Sequence, residues 1–344
     1  MVDFSIATVI PCLNEKDYII DCLNSLREQD FDNSKHLIWI LDGGSTDGTI
    51  QLIEEYIRGL EQNHSPKIEL LHNKEKFVPH ARNYALQNLP DSVTHIVEMI
   101  AHSTVESDHM ALREEAWINC EHEAARKGKK LASLGFQVLP AKGETTTQEE
   151  WIEASLSSRF GSGSGQFAKI TKAEYTKVPA FVTHMRSALV EIEGWSEEFQ
   201  TSQDSDLSMR LLSAGYAIMR TPDTHVNMRK RNSLRKWWRM SVRYGFWRTK
   251  VLLKYQNRVS LREFLPWFGL LLTFGLSLVT PSLAVIPPLL YSVILVGVGF
   301  NSTMKSRKLS HLLGVPICLM ILHVGFSIGL VQGLFVRGKN ANDR

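Results

Sequence analysis

An apolar stretch that runs without a break into small and acidic residues, Ile38-Trp-Ile-Leu-Asp-Gly-Gly-Ser-Thr-Asp-Gly-Thr49, constrains this chain more than any other segment. Successive large apolar side chains suit a strand buried on both faces, as in a sheet covered by helices. In open α/β sheets, ligands bind in the crevice beyond the carboxyl ends of the strands. Small residues there let the backbone approach, and carboxylates reach ribose or base. Asp42, Gly44 and Asp47 are therefore candidate nucleotide ligands. The same turn also suits a plain strand-to-helix connection in which Ser45 or Asp47 caps the helix.

Thirty residues earlier, Ile6-Ala-Thr-Val-Ile-Pro-Cys-Leu-Asn-Glu15 is another buried-type strand, ending in Pro11, Asn14 and Glu15 before an amphipathic helix. Two consecutive strands thus deliver acidic and amide groups to one edge. Here the chain resembles the family 2 glycosyltransferases, whose first strand ends in P-x-x-N-E and whose second ends in D-D/G-G-S-x-D-G-T. Both motifs are matched at the family's spacing, with Gly43 where many members carry a second Asp. The resemblance implies a GT-A fold, a Rossmann-like α/β mixed sheet that takes a nucleotide-sugar donor. It sets Pro11, Asn14 and Glu15 beside uracil and ribose, and Asp42 on the base.

The 344 residues suffice for one large domain and something smaller. From Phe264 to Phe300, and again from His311 to Val336, there is almost no charge. A charged side chain at the centre of a membrane helix costs roughly 2.5 to 3.5 kcal/mol on an insertion scale, and about 20 apolar residues span a bilayer. The first run divides near Pro281 into spans from Phe264 to Thr280 and from Leu283 to Phe300, the second kinked by Pro287 and Pro288, and the second run makes a third. A buried helical hairpin in a soluble protein is the plainer reading. The loop Met304-Lys-Ser-Arg-Lys308 should face the cytoplasm by the positive-inside rule, which puts the catalytic domain there too. Three spans then send Arg337, Lys339 and Arg344 to the opposite side, which that rule disfavours; a re-entrant or surface-lying third segment would resolve it. The expected divisions are a catalytic domain over 1–228, an interfacial segment over 229–260, a membrane region over 261–338 and a tail.

No basic, then apolar, leader precedes the first strand, so no signal peptide is expected. Cys12, Cys22, Cys120 and Cys318 lack metal-ligand spacing and suggest reduced thiols. The sequon at Asn301 falls in the loop assigned to the inside and is read as chance. A net charge of +3 is too small to argue nucleic-acid binding, so no nucleic acid is expected as a partner.

After a strand at Lys67–His72, the segment Val78-Pro-His-Ala-Arg-Asn83 opens a helix that resembles the succinoglycan-type glucosyltransferase branch of the family. That likeness implies Arg82 or Asn83 near the donor diphosphate, where a guanidinium and a helix N-terminus suit phosphate. A solvated helix charge is the plainer reading of Arg82. The next strand, Thr94–Ser103, should carry the divalent-cation site, Mn²⁺ or Mg²⁺, which relatives build from D-x-D or, in this branch, D-G-H. The equivalent triplet is Ile100-Ala101-His102, so the first Asp is missing. His102 stands where a metal ligand is expected, with Glu98 four residues earlier on the same face by the period of two. A hydrogen bond within the crevice is the alternative for His102. Arg159–Gly165 reads as a mobile Gly/Ser loop on the acceptor side.

Gly194-Trp-Ser-Glu-Glu-Phe-Gln-Thr-Ser-Gln-Asp-Ser-Asp-Leu-Ser-Met-Arg210 is similar to a family signature, with Gln203-Asp204 in place of Glu-Asp. The resemblance makes Asp204 the general base, which takes the acceptor hydroxyl's proton as its oxygen attacks the anomeric carbon. One base implies inversion. Capping of the helix by Asp204 or Asp206 is the structural alternative. Between Arg229 and Tyr255, basic residues are interleaved with Trp237, Trp238, Tyr244, Phe246 and Trp247, a mixture suited to membrane headgroups. Arg231, Arg239 and Arg243 match the branch's pattern and suit the phosphate of a lipid-linked acceptor; interfacial anchoring alone is the other reading. The Q-x-x-R-W motif of processive synthases is absent, which favours single addition. A nucleotidyltransferase and a catalytically silent nucleotide-binding membrane subunit are the competing functions.

Overall fold

This computed structural model describes residues 4–60, 66–161, 163, 165 and 167–336. Strand β1 (Ile6–Cys12) leads to helix α1 (Ile19–Arg27), and β2 (His36–Asp42) to α2 (Thr49–Arg58). The alternation continues through β3 (Lys67–His72), α3 (Val78–Asn88) and β4 (His95–Glu98). Next come β5 (Ser103–Thr104), α4 (His109–Arg126), β6 (Leu131–Pro140) and α5 (Thr147–Ser157). After β7 (Glu174–Tyr175), β8 (Thr183–Met185) and α6 (Arg186–Glu191), helix α7 (Gln203–Ser213) precedes the long strand β9 (Ala217–Met228). Helices α8 (Leu234–Lys254), α9 (Leu265–Val279), α10 (Ile286–Ser306) and α11 (His311–Phe335) follow.

The chain forms two compact units. The first holds the residues up to Lys142 and Gly165–Arg229; the second holds Gly143–Ser164 and the residues from Lys230 on. The sequence reading does not separate Gly143–Ser164, because local pattern carries no sign that α5 packs on a helix far along the chain.

In the first unit the described strands form one sheet in the order β3-β2-β1-β4-β8-β6-β9-β5, with β7 on β9. β1 pairs in parallel with β2 and β4, while β8 is antiparallel to β4 and β6. Alternate residues feed two cores: Ile6, Ile10, Ile38 and Ile40 pack with Ile19, Leu23 and Ile53 on one face, and Ala7, Val9, Trp39 and Leu41 with Ala81, Ala85 and Leu207 on the other. Register fixes the site, because Cys12 lies opposite Asp42 and so both polar turns leave the sheet at one edge. β4 stops at Glu98, opposite Val9, short of the end of β1. The expected strand over Thr94–Ser103 is therefore broken. Beyond Glu98 the period of two no longer applies, and Glu98 is not paired on one strand face with His102.

In the second unit, α8 runs along α11 at backbone contact distance. A Cβ on Gly329 would lie 2.1 Å from the carbonyl oxygen of Val242, and one on Gly245 would lie 2.0 Å from that of Phe326. Gly329→Val should force the helices apart at a cost of about 1–3 kcal/mol, read as a lower melting temperature in detergent; an unchanged melt would deny this packing. Three helical stretches are long and apolar enough to cross a membrane: Leu261–Val279, Pro281–Ser306 and His311–Phe335. They extend the expected first two spans by a few residues and agree with the third. Residues 337–344, with Arg337, Lys339 and Arg344, lie outside the described residues.

Candidate active site

Two turns at the sheet edge are laced together by side chains. Asp42 is buried and accepts from the amides of Gly44 (2.8 Å) and Ser45 (2.7 Å) and from the Ser45 hydroxyl (2.5 Å). That hydroxyl in turn accepts from the Asn14 amide at 2.8 Å, and Asn14 Oδ1 accepts from the Thr46 amide at 2.9 Å. Asp47 takes the amide (3.0 Å) and hydroxyl (2.5 Å) of Thr49, and the Glu15 amide donates to Thr49 Oγ1 at 2.9 Å. Partial burial opposes ionisation of Asp47, but these bonds and one from the Lys16 amide outweigh it and hold its pKa below the usual aspartate value. Gly44 and Gly48 make the tight turns possible at φ of 89° and 99°. The motif carboxylates thus brace the crevice. The hydroxyls of Ser45, read from the sequence only as a possible helix cap, and of Thr49, not singled out there, link one turn to the other. Pro11, in β1 opposite Leu41, completes this edge.

His102 Nδ1 lies 2.9 Å from Glu15 Oε1, which joins the candidate metal ligand to the first motif. No group of three or more His, Cys, Asp or Glu that could hold a metal occurs among the described residues. An imidazole beside one carboxylate would suit Mn²⁺ better than Mg²⁺, and with only these two side chains the remaining ligands of a cation would have to come from outside the protein. Ile100, where the family resemblance leads to an expected Asp, offers only its carbonyl, which accepts from Ser103 Oγ at 2.6 Å.

Arg82 is the centre of the second cluster. Its Nη1 lies 2.5 Å from Asp204 Oδ1 and 3.0 Å from Glu98 Oε1, and its Nε is buried without a hydrogen-bond partner among the described residues. The Arg82 and Glu98 side chains are 6% and 7% exposed, whereas that of Asp204 is 50% exposed, so one buried cation holds one buried and one open carboxylate. His184 Nε2 is 3.2 Å from Glu98 Oε1, and its Nδ1 is 2.8 Å from the Ser133 hydroxyl. The Trp195 ring covers the guanidinium at 5.6 Å and meets His184 edge-on at 5.7 Å. Burial alone would raise Glu98, but Arg82 and His184 outweigh it and hold that carboxyl below the usual range.

Asn83 locks the loop before α7. Its Nδ2 donates to the Trp195 carbonyl at 2.8 Å and its Oδ1 accepts from the Trp195 amide at 2.8 Å. A Cβ on Gly194 would lie 2.5 Å from that Oδ1, so the close approach needs glycine. Asp206, fully buried, accepts from Arg210 Nε at 2.8 Å, and Arg210 donates to the carbonyls of Ile192 and Gly194 at 2.6 Å each. Asp206 thus fixes Arg210 and through it the loop. Neither Asp204 nor Asp206 serves as an N-cap: Ser202 holds that position without a side-chain cap bond. Sequence reasoning missed His184 and Trp195, and gave Glu98 another role; a charged residue inside an otherwise apolar strand was the available signal.

Loss of hydration is the largest influence on Asp204 and, with the Glu98 carboxylate, raises its pKa against the pull of Arg82. Half exposure keeps that shift smaller than full burial would give. The acid limb of the rate profile set by Asp204 should therefore lie above the ordinary aspartate value, and Glu98→Gln should move it to lower pH. An unmoved limb would separate Glu98 from Asp204 electrostatically.

Arg231, Arg239 and Arg243 belong to the second unit: Arg231 precedes α8, Arg239 is exposed on it and Arg243 is half-buried. The Gly/Ser loop at Arg159–Gly165 lies partly outside the described residues.

Residues 7–93 match the family model described as Glycosyl transferase family 2, and residues 120–331 that described as Glycosyl transferase family group 2. The chain is 27% identical over 336 residues, 95% of its length and 94% of the relative's, to the Succinoglycan biosynthesis protein ExoA of Rhizobium meliloti (strain 1021). It is 24% identical over 337 residues, covering 97% of this chain and 98% of the relative, to the Dolichyl N-acetyl-alpha-D-glucosaminyl phosphate 3-beta-D-2,3-diacetamido-2,3-dideoxy-beta-D-glucuronosyltransferase of Methanococcus voltae. Among solved structures, the mannosyltransferase PcManGT from Pyrobaculum calidifontis, in complex with GDP-Man and Mn²⁺, shares the fold with a TM-score of 0.58. That match has 14% identity and covers 97% of this chain and 88% of the other.

Proposed function

From the premise that this chain belongs to glycosyl transferase family 2, and is a glycosyltransferase of GT-A fold, we propose that it transfers one sugar from a UDP-linked donor to a polyprenyl-phosphate or lipid-linked saccharide acceptor, with inversion. The observation that carries this reading is the Arg82–Asp204 pair at the first turn of α7. Asp204 is the open carboxylate of its cluster, reachable by an acceptor hydroxyl. As the acceptor oxygen bonds to the anomeric carbon and the bond to the diphosphate breaks, Asp204 removes the hydroxyl proton. Arg82, rigid and desolvated, supplies positive charge to the departing diphosphate, where a preorganised cation is most effective. Asn14, Glu15, Asp42 and Asp47 belong to the braced crevice that takes the nucleotide. Asn83 contributes by holding the Trp195 loop over Arg82.

A divalent cation fits beside His102 and Glu15 and would neutralise diphosphate charge when bound. The structural relative named above was solved with GDP-Man and Mn²⁺, and the Methanococcus voltae relative is named for a dolichyl-phosphate-linked acceptor, which supports a lipid-linked acceptor here. Arg231, Arg239 and Arg243 are the candidates for the acceptor's phosphate. The basic loop Met304–Lys308 supports a cytoplasmic catalytic domain.

The test is UDP release by the purified protein in detergent, from a panel of UDP-sugars with a polyprenyl-phosphate acceptor, in Mn²⁺, Mg²⁺ or chelator. Acceptor-dependent release with one sugar, abolished by chelator, is expected. Nucleotide binding without turnover on any sugar would sink the proposal, and release of pyrophosphate would point to nucleotidyl transfer.

A further inference from the structure

The end of the crevice that faces His102 is short of fixed charge. Glu15 Oε1 meets His102 Nδ1 at 2.9 Å, and Ile100, two residues before His102, adds no carboxylate. With only these two side chains, a divalent cation enters largely on the phosphate oxygens that it ligates. It therefore presets little positive charge for them. A guanidinium built into the wall of the same crevice can do so.

β9 ends at Met228, which pairs antiparallel with Ser103 in β5. The next residue, Arg229, donates its amide to the His102 carbonyl at 3.0 Å, so the two backbones are tied at this point. The Arg229 side chain reaches the start of α1, where its Cζ lies over the Tyr18 ring, 5.3 Å from the centroid. Tyr18 meets His102 edge-on with ring centroids 6.5 Å apart, and its amide donates to the Glu15 carbonyl at 3.0 Å, closing the turn that carries Glu15. Glu15, Tyr18, His102 and Arg229 thus form one group drawn from three segments of the first unit. Tyr18, His102 and Arg229 are all half-buried, which limits the entropy lost when a ligand meets them. Seated on a ring, the guanidinium keeps its fork of N–H donors, whose geometry matches two oxygens of one phosphate.

Resting on the reading of this crevice as a nucleotide-sugar site, we propose that Arg229, seated on Tyr18, holds the β-phosphate of the donor's nucleoside diphosphate. This contact, and not the divalent cation, sets the affinity for the nucleotide. A nucleoside monophosphate lacks the group that Arg229 takes, so the same residue distinguishes a diphosphate from a monophosphate. Chelator then removes transfer but leaves binding.

Calorimetry on the full chain in detergent, with EDTA throughout, tests this with UDP, UMP, GDP and GMP. The parent is expected to bind a diphosphate in EDTA about 10–100-fold more tightly than the matching monophosphate, the size of a hydrogen bond to a charged group. Arg229→Met keeps an unbranched stem over Tyr18 and removes the donors. It should cut diphosphate affinity by about 10–100-fold and leave monophosphate affinity within about three-fold, so that the two ligands bind alike. Arg229→Lys, a point charge without the fork, should fall between parent and Arg229→Met. Tyr18→Leu, which takes the ring from under the guanidinium, should show the same selective loss and provides a second route should Arg229→Met fold poorly. Diphosphate binding that needs Mn²⁺ in the parent would overturn the proposal. So would an equal loss for both nucleotides in folded Arg229→Met, which would make Arg229 a prop of the crevice. The selective loss appearing with GDP in place of UDP would support Arg229 while correcting the donor. None of these readouts uses an acceptor or turnover, so this assignment and the proposed transfer can fail separately.

Discussion

Asp204→Asn is expected to lower turnover by about 10²–10⁴-fold while leaving nucleotide-donor affinity within a few-fold of the parent, because it removes the proton acceptor and little else. The substitution is nearly isosteric, and the amide oxygen can still accept from Arg82 Nη1, which stands 2.5 Å from Oδ1. The site is half exposed, so no buried charge is stranded and folding should be unaffected. Donor affinity by calorimetry and acceptor-dependent UDP release by a coupled assay separate the two effects. Full turnover in the variant would remove Asp204 from the mechanism. Loss of donor binding in proportion to turnover would recast it as a donor ligand.

Arg82→Met should be the most destabilising single change in the first unit, by about 3–5 kcal/mol, because it leaves the Glu98 carboxylate buried beside His184 without its cation. The same change should abolish transfer, since charge on the diphosphate side is lost with it. The sign with pH is distinctive. In the parent, Arg82 and His184 hold Glu98 below the usual glutamate value, so its contribution is complete above that value and fades as pH falls through the folded one. In the variant burial dominates and raises Glu98, so the carboxylate costs stability at neutral pH and protonation relieves that cost. The deficit in melting temperature between variant and parent should therefore narrow from pH 8 to pH 5. The double variant Arg82→Met/Glu98→Gln should recover much of the loss at neutral pH, since no bare charge remains. A deficit independent of pH, unrelieved by the second substitution, would place the damage in packing against Trp195 instead.

Much of the first unit was legible in the sequence because its signals are local. Ile6–Cys12 and His36–Asp42 are continuous apolar runs ended by small and acidic residues, which is what parallel strands buried on both faces require. The apolar lengths around Phe264–Phe300 and His311–Val336 are equally local, since the absence of charge over about 20 residues depends on no tertiary contact. The site was legible to the extent that its residues lie in motifs: Asn14, Glu15, Asp42, Asp47, Arg82, His102 and Asp204 all fall in the crevice turns or the Arg82 cluster. Glu98 was read on the wrong geometry, since regular alternation was extended past the point where β4 ends.

The sequence by itself determined the first strand-and-helix repeats, the family, the polar turns of the crevice and the apolar lengths near the C-terminus. These rest on the periods, turn residues and charge-free runs that neighbouring residues impose on one another. The tertiary structure alone decided which partner the Arg82 charge has: it is shared by Glu98 and Asp204, separated from it by 16 and 122 positions. It also decided that α11 is flanked by α5 and α8 and not bounded by lipid alone. Both depend on contacts between distant segments. Coulomb energy and burial act through space, and a sequence records separation along the chain.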